Sequence, residues 1–199
     1  MTPLHDAYTA LLSGLTTKTG NEIHWQDEYG NPITIEPIDA SKEKYILRSY
    51  YPNGKKLWEA EYQNEQLHGK RIFWRKDGSK EVETRYQNGQ RHGKSILWYE
   101  NGNKNSETRY QNGQTHGKYI VWHKDGNKGL EMAFQNGKPH GKYVEWYENG
   151  NKRCEHKYQN GQLHGKAIIW NGNGNKRWEA EYQDGRRIGE HFFQKTRRG

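Results

Sequence analysis

Histidines at a fixed interval are the first residues of this sequence that suggest chemistry. Five of them begin a recurring His-Gly-Lys motif with a spacing of 24 residues: His68, His92, His116, His140 and His164. Imidazole nitrogens bind zinc at about 2.0–2.1 Å. If each motif belongs to a two-stranded repeat, equivalent histidines lie about 9.6 Å apart, which is too far for neighbours to share one ion. We therefore predict a structural role for these histidines and no metal site.

Glutamates form a second series with the same interval. Its members are Glu59, Glu83, Glu107, Glu131, Glu155 and Glu179. Two carboxylates about 5–10 Å apart can serve as general acid and base. That chemistry needs unlike environments to separate the two pKa values, whereas these glutamates recur in the same setting. Cations follow two residues later at Arg85, Arg109 and Lys157. The pattern therefore favours cross-strand ion pairs over catalysis.

No other motif in the chain predicts an active site. Cys154 stands where other repeats have Val82, Ser106 or Leu130, so we expect a buried small residue rather than a nucleophile. Phosphate-binding, dinucleotide-binding and hydrolase motifs do not occur. The sequence predicts a protein that is not an enzyme and needs no cofactor.

The elements that carry these residues repeat with the same 24-residue period. An aromatic position keeps that period, and Asn-Gly or Asp-Gly pairs occur twice in most repeats. A last, degraded copy of the motif stands at Ile188-Gly189-Glu190. A fixed period of 20–50 residues is typical of repeat arrays. The two turn sequences per period predict a hairpin in each repeat.

The turn type decides which side chains share a face. An Asn-Gly pair fits a two-residue type I′ turn, but it also fits a three-residue loop in which a type I turn ends on a left-handed glycine. Pro52 precedes Asn53-Gly54 and favours the three-residue loop, since proline fits the first central position of a type I turn. With three-residue loops, Trp98 and Tyr110 point to the same face. We therefore predict one face with the Ile-x-Trp pairs and the tyrosines, and the glutamates opposite.

Residues 1–44 differ from the array at 45–199. Apolar residues at helical spacing predict a short helix over about 3–15, and residues 22–39 suggest a hairpin. We expect this segment to cap the array, which needs protection at its ends. Its charge also differs: residues 1–44 carry three basic and seven acidic groups, and residues 45–199 carry 29 basic and 17 acidic groups. Such asymmetry suggests an acidic partner for the array, or an acidic N-terminal segment that covers it.

Composition narrows the class of protein further. Hydrophobic residues make up 30% of the chain, yet it has 8 Trp and 14 Tyr. This balance suits a thin sheet whose aromatic residues supply most of the buried area. There is one cysteine, no run of transmembrane length and no visible secretory signal, so we expect a cytoplasmic protein.

The pattern Tyr-x-Asn-Gly-x-x-His-Gly-Lys, followed by Trp and another Asn-Gly, resembles the MORN repeat. It is most similar to the YwqK-type variant found in antitoxin-like and immunity-like proteins, and the resemblance covers about residues 45–194. The resemblance implies an all-β fold, an elongated single-layer antiparallel meander of hairpins that serves as a binding surface. With the N-terminal segment, this predicts a repeat array capped by a short helix and a hairpin. Members of the family are proposed to neutralise toxins, bind partner proteins or associate with acidic lipids.

Two sets of residues are the candidates for binding. The first is the predicted aromatic face: Trp74, Trp98, Trp122, Trp146, Trp170, Tyr86 and Tyr110. The second is a basic patch at Lys118, His123 and Lys124, near the segment where two repeats depart from the consensus. Those departures are Gly129, Met132, Pro139 and Glu145. We expect a non-catalytic antitoxin, immunity protein or inhibitor that occludes a toxin or a defence or effector protein. The alternative is a basic protein that binds nucleic acid or acidic lipid head groups.

Overall fold

The fold is all-β. A computed structural model describes residues 25–26, 31–38 and 43–193, and it contains sixteen strands and no helix within those residues. All sixteen belong to one open antiparallel sheet and follow each other in chain order, with two short strands sharing one position. The antiparallel meander predicted from the sequence is thereby confirmed. The helix predicted over about 3–15 lies outside the described residues.

The chain divides into two compact units, residues 1–92 and 93–199. The sequence predicted a different division, at 44–45, which stays a prediction. The strands of the first unit are β1 (Trp25–Gln26), β2 (Pro32–Pro37), β3 (Lys44–Tyr50), β4 (Lys56–Gln63), β5 (Gln66–Trp74) and β6 (Lys80–Gln87). Strands β1 and β2 pair as a hairpin, as predicted for this segment.

The division falls within the seventh strand, β7 (Gln90–Trp98), and the rest of the second unit continues the meander. Its other strands are β8 (Lys104–Gln111), β9 (Gln114–Trp122), β10 (Lys128–Gln135), β11 (Lys138–Trp146), β12 (Lys152–Gln159), β13 (Gln162–Leu163), β14 (Gly165–Trp170), β15 (Lys176–Gln183) and β16 (Arg186–Phe192). Strands β13 and β14 both pair with β12 and together fill one position in the sheet.

Two kinds of turn alternate along the chain, whereas the sequence predicted only the three-residue loop. The loop after β7 has three residues and ends on Gly102 at φ +85°. Its hydrogen bonds, from the Gly102 N–H to the Tyr99 carbonyl and from the Tyr99 N–H to the Asn103 carbonyl, are those of a type I turn with a glycine bulge. The prediction for this loop is confirmed. The turn after β6 is of the two-residue type, because Asn88 and Gly89 both have positive φ, +48° and +76°. The three-residue loop is therefore wrong for the turns that follow glutamine.

A bulge that the sequence did not reveal reverses the predicted faces. Trp98 pairs with Lys104, but Leu97 pairs with Ser106, so Asn105 is an extra residue in β8. An extra residue moves every later side chain of its strand to the other face. As a result Ile96 pairs with Glu107, and Tyr110 lies on the opposite side. The prediction that tryptophans and tyrosines share a face is wrong.

The sheet therefore has a tryptophan face and a tyrosine face. The tryptophan face carries the Ile-x-Trp pairs together with the glutamate series, as the pairs Ile72–Glu83, Ile120–Glu131, Val144–Glu155 and Ile168–Glu179 show. The tyrosine face carries the tyrosine positions, each opposite a motif glycine in Gly69–Tyr86, Gly93–Tyr110, Gly117–Phe134, Gly141–Tyr158 and Gly165–Tyr182. A register shift lies beside the motif glycine at Gly69, Gly117 and Gly141.

Few side chains are fully buried, as a single layer requires. The buried apolar residues of the tyrosine face are Tyr45, Leu47, Ala60, Cys154, Ala167 and Ala180, and those of the tryptophan face are Ile72 and Val144. Cys154 is buried and unpaired, which confirms the expectation of a small buried residue there. Most tryptophans and tyrosines stay half-buried. Both faces therefore present large side chains to solvent.

Candidate binding surfaces

The tryptophan face of the second unit is crosslinked by lysine–glutamate ion pairs. The Glu107 carboxylate lies 2.9 Å from the Lys94 Nζ and 2.9 Å from the Lys104 Nζ. Glu131 holds Lys118 and Lys128 in the same way, at 2.8 and 2.7 Å. The next repeat has the same arrangement, with Glu155 between Lys142 and Lys152 at 3.1 and 2.6 Å. The predicted cross-strand ion pairs are present, but through Lys94, Lys118 and Lys142 rather than through the cations two residues after each glutamate. The second lysine of each glutamate lies on its own strand, three residues earlier.

The same lysines lie over the tryptophans of the following repeat. The Nζ of Lys104 is 5.4 Å from the centre of the Trp122 ring, and the Nζ of Lys128 is 6.0 Å from that of Trp146. Lys152 and Trp170 repeat the contact at 5.6 Å. Each lysine thus combines an ion pair in its own repeat with a cation–π contact to the next. These three tryptophans therefore help to join neighbouring repeats.

This face is also the more cationic one. Its paired Lys and Arg residues in the second unit are Lys94, Lys104, Arg109, Lys118, Lys128, Lys138, Lys142, Lys152, Lys157, Lys166, Lys176 and Arg186. The paired glutamates are Glu107, Glu131, Glu155, Glu179 and Glu181. Hydrogen bonds from Lys118 and Lys128 hold the pKa of the Glu131 carboxyl below its usual value, which keeps it ionised and paired at neutral pH. The face is a lattice of alternating charges with an excess of cations.

The tyrosine face carries a group of contacting side chains that was not predicted from the sequence. One row across adjacent strands contains Tyr119, Met132, Tyr143 and His156, each paired with the next. Phe134 and Tyr158 lie beside this row and contact it through their rings. We call these six residues of β9–β12 the ring cluster. All six are half-buried.

The rings of the cluster are in direct contact. Tyr119 and Phe134 are 6.4 Å apart between ring centres and meet at 70°, and Tyr143 and Tyr158 are 6.4 Å apart and meet at 67°. His156 stacks on Tyr143 with a ring separation of 4.5 Å and an angle of 9°. Such edge-on and stacked contacts each contribute about 0.5–1.5 kcal/mol beyond the burial of area. The cluster is a packed unit rather than a set of independent side chains.

The ring cluster is uncharged at neutral pH. Burial lowers the pKa of His156, which favours the neutral imidazole. Burial, with the charge of Glu145 adding to it, raises the pKa of Tyr143 to about 12. Beside the cluster, the Glu145 carboxylate accepts a hydrogen bond of 2.7 Å from Arg153 and lies 3.5 Å from the Cys154 Sγ. The charge of this carboxylate, which lies beside the cluster, is therefore compensated by Arg153.

The loops between strands form a third feature, a set of contacts between consecutive repeats. The Tyr99 hydroxyl donates to the Trp122 carbonyl at 2.8 Å, and the Asn101 amide donates to the Lys124 carbonyl at 2.7 Å. The Tyr147 hydroxyl and the Asn149 amide make the same bonds to Trp170 and Gly172, at 3.1 and 2.7 Å. We call loops of this kind donor loops. In the first unit, Tyr51 and Asn53 form a donor loop with the same pair of bonds.

The loops between the donor loops differ in sequence and bonding. In the loop that contains His123, Asp125 replaces asparagine, and its carboxylate accepts a hydrogen bond of 2.9 Å from the Asn127 N–H of the same loop. A carboxylate cannot donate to the next loop as an amide does. The chain therefore has a second period of 48 residues, seen in the sequence as Tyr51, Tyr99 and Tyr147 at the start of alternate loops.

The candidates named from the sequence are not brought together. The five tryptophans lie on the tryptophan face, whereas Tyr86 and Tyr110 lie on the other. Lys118 belongs to the lysine–glutamate lattice. In the loop between two donor loops, the His123 Nε2 is 3.4 Å from the Trp146 carbonyl oxygen, and the Lys124 carbonyl accepts a hydrogen bond from the preceding donor loop. These residues serve three different features of the structure.

A signal for the ring cluster was present in the sequence. The position after His-Gly-Lys is Arg71, Ser95, Tyr119, Tyr143 and Ala167 in successive repeats, so an aromatic ring occurs there only twice. Met132 departs from the repeat consensus, but with the wrong face assignment it could not be placed between those two tyrosines. Within the described residues, no group of three or more metal-binding side chains is arranged to hold an ion. No helix among them has the length and apolar character that a membrane crossing needs.

Comparison with known proteins supports the resemblance in part. The family model of the MORN repeat variant matches residues 46–64, 91–112 and 139–160. Each matched segment contains one donor loop, so the matches follow the 48-residue period rather than the 24-residue one. The comparison with curated proteins gave no match. MORN repeats are generally binding repeats, and the chain is similar to them in these three segments.

Proposed function

We propose that this chain is a non-catalytic protein-binding array and that the ring cluster contacts the target protein. The observation that supports this most strongly is the restriction of the cluster to β9–β12. The corresponding row on the flanking strands carries only small side chains: Ser95, Thr108, Ala167 and Ala180. Protein interfaces are enriched in tyrosine and methionine, and a few central residues supply most of their binding energy. A local group of such residues on a repetitive sheet fits that pattern.

We further propose that binding occludes the target, so that the chain acts as an antitoxin, an immunity protein or another inhibitor. The target would be a toxin or a defence or effector protein. A sheet that covers a functional surface inhibits without chemistry of its own. The similarity to binding repeats and the ion pairs of the glutamate series support a role without catalysis.

The test uses the residues of the neighbouring repeats as replacements. In the double variant Tyr119→Ser, Tyr143→Ala, each tyrosine takes the residue found one repeat away, at Ser95 and Ala167. A partner is first captured with the full chain from the native host and purified. Isothermal titration should then show affinity at least about tenfold lower for the double variant, which corresponds to about 1.4 kcal/mol. Arg109→Ala, on the other face, is the matched control and should bind normally.

Two results would contradict this proposal. Equal affinity of the double variant and the native chain would exclude the ring cluster as the contact site. A partner whose activity the native chain leaves unchanged would exclude occlusion. Circular dichroism and thermal melting of the double variant establish that it is folded before either result is interpreted.

The second candidate is a binder of nucleic acid or acidic lipid head groups. The excess of cations on the tryptophan face favours it. However, three of its glutamates each neutralise part of two lysines, and a lysine covers each of three tryptophan rings that would otherwise stack on bases. If this candidate is right, an oligonucleotide or an anionic vesicle should bind with affinity that falls steeply with salt. Arg109→Ala and Lys142→Ala would then weaken binding, and the double tyrosine variant would not.

A further inference from the structure

We infer that the ring cluster binds a proline-rich segment of its partner in the polyproline II conformation, with prolines three residues apart. This inference rests on the proposed function, since it names the partner chemistry for the same site. Aromatic grooves are a common means of recognising polyproline II segments, because such segments are already extended and lose little entropy on binding.

Two equivalent aromatic ridges are the basis of this inference. Tyr119 with Phe134 forms the first, and Tyr143 with Tyr158 forms the second, at nearly equal ring distances and angles. The members of one ridge are each 24 residues from those of the other, which corresponds to two strands. Two strand spacings place the ridges about 9.6 Å apart.

The residue between the ridges has a flexible side chain. Met132 pairs with both Tyr119 and Tyr143 and therefore lies between the two ridges. A flexible thioether adapts to an inserted ring. The two ridges and the methionine between them therefore form an apolar surface that can adjust to a ligand.

The spacing of the ridges favours one ligand geometry. A polyproline II helix has three residues per turn and a rise of 3.1 Å, so every third residue recurs after about 9.3 Å. In a β-strand the side chains of one face recur after about 6.8 Å. An α-helix presents the same face after about 5.4 Å or, over two turns, about 10.8 Å. Of these repeats, that of polyproline II is the closest to two strand spacings.

The electrostatics of the site agree with an uncharged ligand. His156 is neutral, and the raised pKa values of Tyr143 and Tyr158 keep both hydroxyls protonated. Polyproline II segments have carbonyl groups without internal partners, and proline has no N–H to satisfy. Protonated tyrosine hydroxyls can donate to those carbonyls. The chemistry of the cluster complements such a segment without any ion pair.

Binding to synthetic peptides tests the inference on the full chain. The first probe is a fluorescent twelve-residue peptide with proline at every third position and serine elsewhere. The second has the same composition with prolines at irregular spacing. Fluorescence anisotropy should show at least about fivefold tighter binding of the first peptide. The double variant Tyr119→Ser, Tyr143→Ala should weaken that binding at least tenfold. Tyr182→Ala, at a tyrosine position whose neighbour Ala167 offers no second ring, should change it less than twofold.

A measurement without mutation supports the same conclusion. The chain contains two methionines, Met1 and Met132, so the methyl resonance of Met132 is easily assigned in a carbon-13 labelled sample. The regularly spaced peptide should shift this resonance in a saturable manner. An unshifted Met132 methyl group, or equal binding of the two peptides, overturns the inference.

The outcomes separate this inference from the proposed function. If the double variant loses its purified protein partner while neither peptide binds, the ring cluster is a protein contact and the polyproline assignment is wrong. If the regular peptide binds at the ring cluster but the purified partner is unaffected by the double variant, the proposed function fails at this site and the peptide specificity stands. Binding of both peptides with a steep salt dependence overturns the inference in favour of a charged surface.

Discussion

At the scale of single residues, Gly102 offers the clearest prediction. It closes its loop at φ +85°, and no other atom lies within 4 Å of the place where a Cβ would stand. Gly102→Ala should lower the free energy of unfolding by about 1 kcal/mol, since the only penalty is backbone strain. Gly172 also has open space around it but lies outside the left-handed region, so Gly172→Ala should be neutral or slightly stabilising. Denaturant unfolding measures the free energy of unfolding of both variants. Equal losses of stability in the two would show that backbone strain at Gly102 is not the cause.

Cys154 gives a prediction about reactivity. Burial, and next the hydrogen bond to Glu145, raise the pKa of its thiol to about 12. A thiol reagent at pH 8 should therefore react with the native chain at least tenfold more slowly than with the unfolded chain, because the thiolate is the reactive form. Glu145→Gln should speed the native reaction by lowering that pKa. An unchanged rate in this variant would show that burial alone protects the thiol.

The same pKa shift has a consequence for stability. The folded thiol titrates near 12, whereas an unfolded cysteine titrates at about 8.5. The contribution of Cys154 is therefore complete below about pH 8.5 and is lost as the pH rises towards 12. The free energy of unfolding of the native chain should fall more steeply over this range than that of Cys154→Ala. If the free energy of unfolding depends on pH in the same way for both proteins, the raised pKa of Cys154 is contradicted.

At the scale of elements, the donor loops predict a cost for each missing bond. Tyr99→Phe removes the hydroxyl that donates to the Trp122 carbonyl and leaves the ring in place. The expected loss is about 1 kcal/mol, the usual net value of such a bond. Glu100→Gln, an exposed change in the same loop, should be neutral within about 0.5 kcal/mol. Thermal unfolding measures both, and a neutral Tyr99→Phe would show that the contact adds nothing to stability.

The lysine–glutamate lattice predicts sensitivity to acid. Hydrogen bonds from Lys118 and Lys128 lower the pKa of Glu131 in the folded chain. Its contribution is therefore present above the unfolded pKa of about 4.3 and is lost as the pH falls through the lower folded value. Glu131→Gln should reduce stability at pH 7 and have little effect below about pH 3. A deficit that is constant with pH would indicate lost packing rather than a lost ion pair.

The elements also show which parts of the fold the sequence could predict. The 24-residue period and the Asn-Gly pairs were enough for the strands, and Pro52 was enough for one turn type. The bulge that sets the faces occurs in every repeat, yet its extra residue is Leu57, Glu81, Asn105, Gly129, Arg153 and Arg177 in turn. The extra residue of the bulge is a different residue type in each repeat. The bulge arises from the backbone next to the three-residue loop, so residue types alone could not predict it. Without the bulge the faces were assigned wrongly, and the ring cluster could not be predicted.

At the scale of the whole molecule, stability should be distributed among neighbours. Repeats in such arrays contact only the adjacent ones, so a local loss spreads over a short distance. Gly102→Ala should therefore speed amide hydrogen exchange in β7 and β8 far more than in β14 and β15. Hydrogen-exchange mass spectrometry measures the profile of the variant against the native chain. A uniform increase along the second unit would show that this unit opens as one cooperative body.

The alternation of loops restricts how the length of such a chain can change. Removing 24 residues would keep the strand pairing and the lattice of ion pairs intact. It would, however, place two donor loops side by side, or two of the loops that lie between them. In the first case the amide of the donor asparagine would still meet a carbonyl. In the second case a loop such as the one with Asp125 has a carboxylate at that position, and a carboxylate cannot donate. Gain or loss of 48 residues keeps the order of the loops. Duplication in a lineage of such chains should therefore leave arrays whose repeat numbers differ by two.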